Sequence, residues 1–429
     1  MSASAGGPSR RLLRKPDFLK LWAAQTVSVF GTQITNLAVP IVAALALRVS
    51  PLEFGLLTTI ESIPFVILSL PAGVWVDRLR RRPILIWGDL LRAISLLSIP
   101  LAAAMHALTI WQLYVVVLVN GSLTVFFDVA WQSYLPSIVA RDELVEGNGK
   151  LELTRQASQR LGPGAAGVLI GALTAPIAIV LDALSYAFSA LLVLWIRRVE
   201  PPPAADGTAS GPRPSMRQDI AIGLRYVTRH PWLRALALCV ATGNLFMTIC
   251  DSILILWLVT ERHFTAASIG LAFSIGSIGV ILGALVTSRL TRVVGVGRMI
   301  VLAAAGESLA WLPIPLAPDA LLFPALTFTI VWLGFTGVVW NVNAISLRQA
   351  ITPGPMLGKM NASMRFISWG TIPLGSVLGG ILGGAIGLDN TIWVGALGTL
   401  LTFLPVALSS IRDVRVMPGE AGSATMADV

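Results

Sequence analysis

Runs of about twenty mostly apolar residues, parted by short polar breaks, recur along nearly the whole chain. Twelve are legible, near 18–47, 54–76, 84–105, 109–131, 152–173, 175–196, 232–260, 267–290, 298–317, 320–343, 361–386 and 389–411. A helix that crosses a bilayer needs roughly twenty apolar residues. The pattern therefore predicts an all-α membrane protein with twelve transmembrane helices. The longest polar break, "RRVEPPPAADGTASGPRPSMRQD", falls near 197–219 and parts the spans six and six. Its Pro, Gly, Ala and Ser content reads as a linker.

The expected organisation is a tail over 1–17, a six-helix bundle over 18–196, a linker over 197–231, a second six-helix bundle over 232–411 and a tail over 412–429. Within the linker, Ile220, Leu224 and Val227 share one face among Arg217, Arg225 and Arg229. That spacing predicts a short basic helix on the inner membrane surface. The two halves also echo each other. At an offset of 213, Leu144, Asn148, Gly162, Gly167 and Gly171 fall on Leu357, Asn361, Gly375, Gly380 and Gly384. At 215, Gly55 and Ser62 fall on Gly270 and Ser277. Repeats of this length predict two pseudo-symmetric bundles.

Composition supports the membrane reading. Of 429 residues, 55% are hydrophobic and 12% charged, against about 25% charged in soluble domains. Mean hydropathy is +0.78. The net charge of +9 does not point to nucleic acid, because the basic residues sit in short clusters between apolar runs. Those clusters occupy alternate loops; the opposite loops hold only Arg48 and Arg262. By the positive-inside rule both termini are expected in the cytoplasm, and the chain in the inner membrane. The basic segment over 1–18 does not read as a cleavable signal, so the first run is expected to remain as a span.

No phosphate-binding loop, His-Glu-x-x-His or Gly-x-Ser-x-Gly sequence occurs, so an enzyme, ATP hydrolysis, a metal and a cofactor are not expected. Cys239 and Cys250 would lie about 16 Å apart on one helix, too far for a disulfide. Both read as core residues.

One break, "GVWVDRLRRRPILI" at 73–86, packs an aspartate and four arginines between two apolar runs. A topology anchor explains the arginines but not Asp77. The stretch resembles the loop 2–3 signature of the major facilitator superfamily, matching at Gly73, Asp77, Arg78, Arg81 and Arg82. Arg80 stands where that family often has glycine. "LPSIVARDELVEGNGKLELTRQASQRLGPGAAG" is similar to the branch that contains the enterobactin exporter and macrolide efflux pumps. The resemblance implies alternating access, with Asp77 as a latch at the start of span eleven beside Arg365. It also implies an export motif at Gly149, Ser158, Gly162, Pro163, Ala166 and Gly167. Ser158 and Ala166 replace glycine there but stay small. Such residues permit close helix contact.

Coupling to protons needs ionisable groups inside the membrane. The acidic candidates within the runs are Glu61, Asp128, Asp182, Asp251 and Glu307. Asp251, Glu61, Asp128 and Glu307 are the proton-coupling candidates, with Asp251 foremost. Asp89 and Arg92 read as a structural i, i+3 pair, and Arg155 or Arg160 could neutralise Asp128. The resemblance places spans one, four, seven and ten around a central cavity. Polar stripes on these spans supply its candidates: Gln25, Thr32 and Asn36, then Asn120 and Thr124, then Asn244 and Thr248, then Trp332, Trp340 and Asn343. Such stripes can equally join helices. Tryptophans and acids there would suit a bulky, partly apolar, cationic substrate.

The reading that follows is a proton-coupled exporter of a drug-like or siderophore-like molecule, with protons and lipid as its other partners and a monomer expected. An importer of a small metabolite and a non-transporting sensor are the alternatives.

Overall fold

The structure is a computed structural model and describes residues 12–140, 143–198, 200 and 216–415. The side chains of a few helical residues, Asp77 and Arg78 among them, lie outside the described set. So do residues 1–11 and 416–429 of the tails expected over 1–17 and 412–429, and most of the linker.

The described residues form helices and no strands. In chain order these are α1 (Pro16–Ile41), α2 (Pro51–Ile67), α3 (Ser69–Arg78), α4 (Arg81–Ala104), α5 (Ile110–Ile138), α6 (Leu144–Leu173), α7 (Ala175–Leu194), α8 (Met216–Arg229), α9 (Pro231–Thr260), α10 (Ala266–Val294), α11 (Val296–Ala310), α12 (Pro313–Leu316), α13 (Leu322–Ile351), α14 (Gly354–Ile386), α15 (Leu388–Thr399) and α16 (Leu404–Ala407). Ten helical stretches among them are long and apolar enough to cross a membrane. The other two expected spans are present as α2 with α3, and as α6. The first pair is broken at Leu68, three residues before Pro71, whose ring nitrogen cannot donate to the Ile67 carbonyl. The second carries Glu146, Lys150, Glu152, Arg155 and Arg160, too much charge to count as apolar. Large side chains such as Trp87, Ile94, Trp111 and Leu285 are exposed on the helices, as lipid-facing surfaces require.

Two compact units divide the chain. The first comprises Met1–Val49, Ile60–Ser210 and His263–Leu271, the second Ser50–Thr59, Gly211–Arg262 and Ala272–Val429. The first has a core of Phe18, Leu21, Leu85, Tyr134, Leu135 and their neighbours. The core of the second gathers Leu233, Leu236, Ile300, Leu347, Met360 and others.

Each unit contains the same backbone crossing. In the second, a Cβ at Gly55 would stand 2.6 Å from the Ser376 carbonyl oxygen, and one at Gly380 would stand 2.9 Å from that of Pro51. In the first, a Cβ at Gly270 would collide with the Pro163 carbonyl oxygen, and one at Gly167 with that of Ala266. Pro163 and Ser376 are 213 residues apart, Pro51 and Ala266 are 215 apart, so these are the offsets of the sequence repeat. The α6 helix packs just as closely on α1: a Cβ at Gly162 would run into Gln33. The Ser158 hydroxyl donates to the Val29 carbonyl at 2.6 Å.

The turns repeat as well, with one difference. Gly387 joins α14 to α15 at φ 85°, ψ 162°. Thr174, 213 residues earlier, joins α6 to α7 at φ 76°, ψ 153°, a region that a β-branched residue enters only under strain. The α8 helix contains the face expected of Leu224 and Val227. Val227 is fully buried, a Cβ at Gly223 would meet the Lys359 carbonyl, and the Tyr226 hydroxyl donates to the Ile351 carbonyl at 3.4 Å. This helix is thus docked on the start of α14, in addition to any contact with lipid.

Two outcomes follow. Thr174→Gly should raise the unfolding temperature of the solubilised protein, by relief of about 1 kcal/mol, whereas Gly387→Thr should lower it; unchanged melting in both would remove the strain at this turn. Gly162→Leu should destabilise by about 1–3 kcal/mol through overpacking against Gln33. Gly149→Ala should have no such effect, because nothing lies within 4 Å of a Cβ there; thermal unfolding of the pair checks both.

Candidate functional site

The charged turn is fastened by a residue that the sequence does not single out. Glu200 is buried and accepts from the backbone N–H groups of Arg81 at 2.8 Å and Arg82 at 3.1 Å. It thereby caps the N-terminus of α4, where free donors and the helix dipole favour a carboxylate. The Arg81 guanidinium completes the contact at 3.4 Å. Arg82 reaches the other way and donates to the carbonyls of Val193 at 3.3 Å and Leu194 at 2.6 Å. A cation on the last carbonyls of α7 is the favourable arrangement at a helix C-terminus. These arginines are therefore fixed in place rather than free in solvent. Gly73 has open space beside it. Asp77 and Arg78 belong to α3, but the expected latch contact of Asp77 falls outside the described side chains. Arg365 is exposed, with its guanidinium 5.8 Å from the Trp369 ring centroid.

A buried ionic network fills the first unit. Arg92 pairs with Asp89 one turn away on α4, and neither reaches solvent to any extent. The guanidinium lies between the Phe127 ring at 4.1 Å and the Tyr186 ring at 4.3 Å. Asp182 is fully buried on α7 and accepts from the hydroxyls of Thr35 and Ser185, the latter at 3.0 Å. The Tyr186 hydroxyl shares a hydrogen bond of 2.9 Å with that of Thr32. Removing one member of such a network leaves an unpaired buried charge, which costs about 3–5 kcal/mol. The run Asp182, Ser185, Tyr186 and Ser189 places polar groups on one face of an otherwise apolar helix. That spacing was the available signal.

Several stripe residues spend their polar atoms on this bundle. The Asn120 amide donates to the Ser95 hydroxyl of α4 at 3.0 Å, and Thr124 meets Arg92 at 3.5 Å. The amide oxygen of Gln25 is buried without a partner among the described residues, and Asn36 is exposed. Asp128 is exposed on α5, and the cations acting on it are Arg92 and Arg155. Arg155 is engaged by Glu152 at 2.7 Å and Arg160 by Gln156 at 2.8 Å. Glu61 is exposed on α2, with its backbone close to Gly121.

In the second unit α9, α11, α13 and α14 enclose a cavity of about 620 Å³. Of the residues expected at a cavity, Asn244 and Trp340 line it; Glu307, expected as a coupling acid, and Arg365, expected at the latch, line it as well. Arg348, Asn341, Asn361, Ser368 and Trp369 line it too and were not foreseen. Asn244 also donates to the Ser368 carbonyl at 2.7 Å. Thr248 packs on Gly375, where a Cβ would come within 2.8 Å. Asp251 is exposed and lies outside the lining, whereas Glu307 of span nine is part of it. Two expectations are corrected. Asn343 is buried and accepts from the Thr291 hydroxyl of α10 at 2.9 Å. The Trp332 indole donates to the Gly306 carbonyl of α11 at 2.9 Å. Both use their polar groups to join helices, because an unpaired polar group in hydrocarbon is costly.

The far end of this unit is tied by Arg262, which pairs with Asp319 at 2.9 Å and with Asp389, and lies 4.9 Å from the Trp257 ring centroid. Burial and the neighbouring Asp389 carboxylate push the Glu261 carboxyl above its ordinary range.

Comparison with known proteins follows the same lines. The family model described as Major Facilitator Superfamily matches residues 21–362. The multidrug efflux pump Tap of Mycolicibacterium fortuitum is 28% identical over 410 residues, covering 91% of this chain and 96% of Tap. The enterobactin exporter EntS of Citrobacter koseri is 23% identical over 398 residues, covering 92% and 88%. Among solved structures, a bacterial homologue of the iron transporter ferroportin superposes with a TM-score of 0.71 at 15% identity, covering 91% of this chain and 98% of that one. The nucleoside transporter NupG gives 0.69 at 13% identity, covering 92% and 98%. The fold, the duplicated contacts and a family match over most of the length agree, and the chain belongs to the major facilitator superfamily, as a multi-pass membrane transporter.

Proposed function

We propose that this transporter exports a drug-like or siderophore-like organic molecule from the cytoplasm by alternating access, driven by protons moving the other way. The observation that carries the direction is similarity over nine-tenths of the chain to two proteins named as exporters, one of drugs and one of enterobactin. The close packing of Ser158, Gly162, Pro163 and Gly167 supports it, since these residues hold α6 against its neighbours as an export motif requires. Both termini lie in the cytoplasm on this reading, as the distribution of Lys and Arg supports. Asp77 acts as the latch and Asp251 as the coupling acid, with Glu307, Asp128 and Glu61 as the further candidates. Asp251 has no ion pair or hydrogen bond among the described residues other than those within its helix backbone, which leaves its carboxyl free to exchange a proton.

Inside-out vesicles test the direction. A panel of fluorescent anionic and cationic solutes should show ATP-independent accumulation of at least one member under an imposed pH gradient. A protonophore should collapse it. Uptake only in right-side-out vesicles would establish an importer, and binding without flux a sensor. In the same vesicles Asp77→Asn should insert normally but slow transport at least tenfold, and wild-type rates would remove the latch. Asp251→Asn should keep substrate binding and lose the response to pH; uphill pumping with the wild-type pH profile would assign Asp251 a structural role.

A further inference from the structure

The cavity of the second unit contains more positive charge than its own walls can neutralise. Arg348 and Arg365 both line it, and Glu307 is the one acid that does among the described residues. A guanidinium does not shed its proton in a protein, so the cavity stays net positive whether Glu307 is ionised or not. Neither arginine has an ion pair or hydrogen bond among the described residues. The Nε of Arg348 is buried with no partner among the described residues. An unpaired buried cationic donor is costly, and chains keep one where something else completes it.

The rest of the lining says what that is. On α13, Asn341, Ala344 and Arg348 recur at helical spacing, and on α14 Asn361, Arg365 and Trp369 do the same. Two helices therefore each present an arginine and a polar group to one space. Trp340 and Trp369 add planar walls, and Met247 and Met364 add pliable ones. At about 620 Å³ the space is of the size that takes one drug-sized molecule. Arg348 stands three residues from the end of α13, while Arg365 stands eleven residues into α14, about 16 Å along its axis.

We propose that this cavity binds an organic anion, a carboxylate or comparable acid on a flat aromatic body, with Arg348 and Arg365 as its charge partners and the two tryptophans against its ring. This rests on the export reading and reverses the sign of the substrate that tryptophans and acids suggested from sequence. Guanidinium groups pair with planar anions through two parallel hydrogen bonds, which lysine cannot copy.

The test is equilibrium binding of labelled 1-naphthoate and its neutral amide to the full-length protein in phosphatidylcholine nanodiscs. The carboxylate should bind saturably, and the amide at least tenfold more weakly. Arg348→Gln and Arg365→Gln should each weaken naphthoate at least tenfold with unchanged melting temperature. Arg348→Lys should recover only part of the loss. Adding phosphatidylglycerol to the nanodisc should leave naphthoate binding intact; if it abolishes binding, the pocket is a lipid-headgroup site and the proposal falls. It falls equally if the amide binds as well as the acid, or if both glutamine variants bind as wild type. Outward pumping of a dye alongside either result would leave the export reading standing. Naphthoate binding as expected without flux of any solute would overturn export and leave the pocket.

Discussion

Close approach of helix backbones is the constraint on which this structure depends. In a bilayer, apolar side chains gain little by leaving lipid for protein, so helices are held by packing and by hydrogen bonds between them. Gly55 against Ser376 and Gly380, and Gly270 against Pro163 and Gly167, bring carbonyl oxygens to where a side chain would otherwise stand. The same geometry built twice, at the spacing of the sequence repeat, shows that duplication preserved a contact and not only a helix count. Polar groups then follow the packing. Ser158 on Val29, Thr399 on Ser308 and Asn244 on Ser368 each find a carbonyl on the helix beside them.

How much of this was legible depended on what kind of signal the bilayer leaves in a sequence. Hydropathy gave the spans and their division into halves, because twenty apolar residues have few other uses. Even there, α2 and α3 are one span by composition and two helices in fact, because Pro71 cannot donate to the Ile67 carbonyl across the break. The two small-residue motifs were legible through resemblance and repeat. The polar stripes were not, since spacing shows that Asn343 and Trp332 share a side of α13 but not whether that side meets a cavity or a neighbour. Three dimensions decided it.

Arginine was the residue most easily misread. Counted along the chain, arginines mark one side of the membrane, and that reading treats them as equivalent. In the structure they do four different things. Arg82 closes the end of α7, Arg92 lies between two aromatic rings beside Asp89, Arg262 ties loops through two aspartates, and Arg348 faces a cavity without a partner. Only the chain path brings Glu200 under Arg81 and Arg82, 119 and 118 residues away.

The charge on α6 bears on how the protein is made. With Glu152 and Arg155 at the start of the span over 152–173 and Arg160 near its middle, where an arginine costs about 2.5–3.5 kcal/mol to insert, this helix partitions poorly into lipid on its own strength. The next helix partitions well: α7 has a mean hydropathy of 2.2 and follows after the single residue Thr174. A turn that short forbids the two from entering at separate times as independent segments. Membrane entry of the polar span is therefore expected to be coupled to its apolar successor, as one hairpin in which the cost of the first is met by the second.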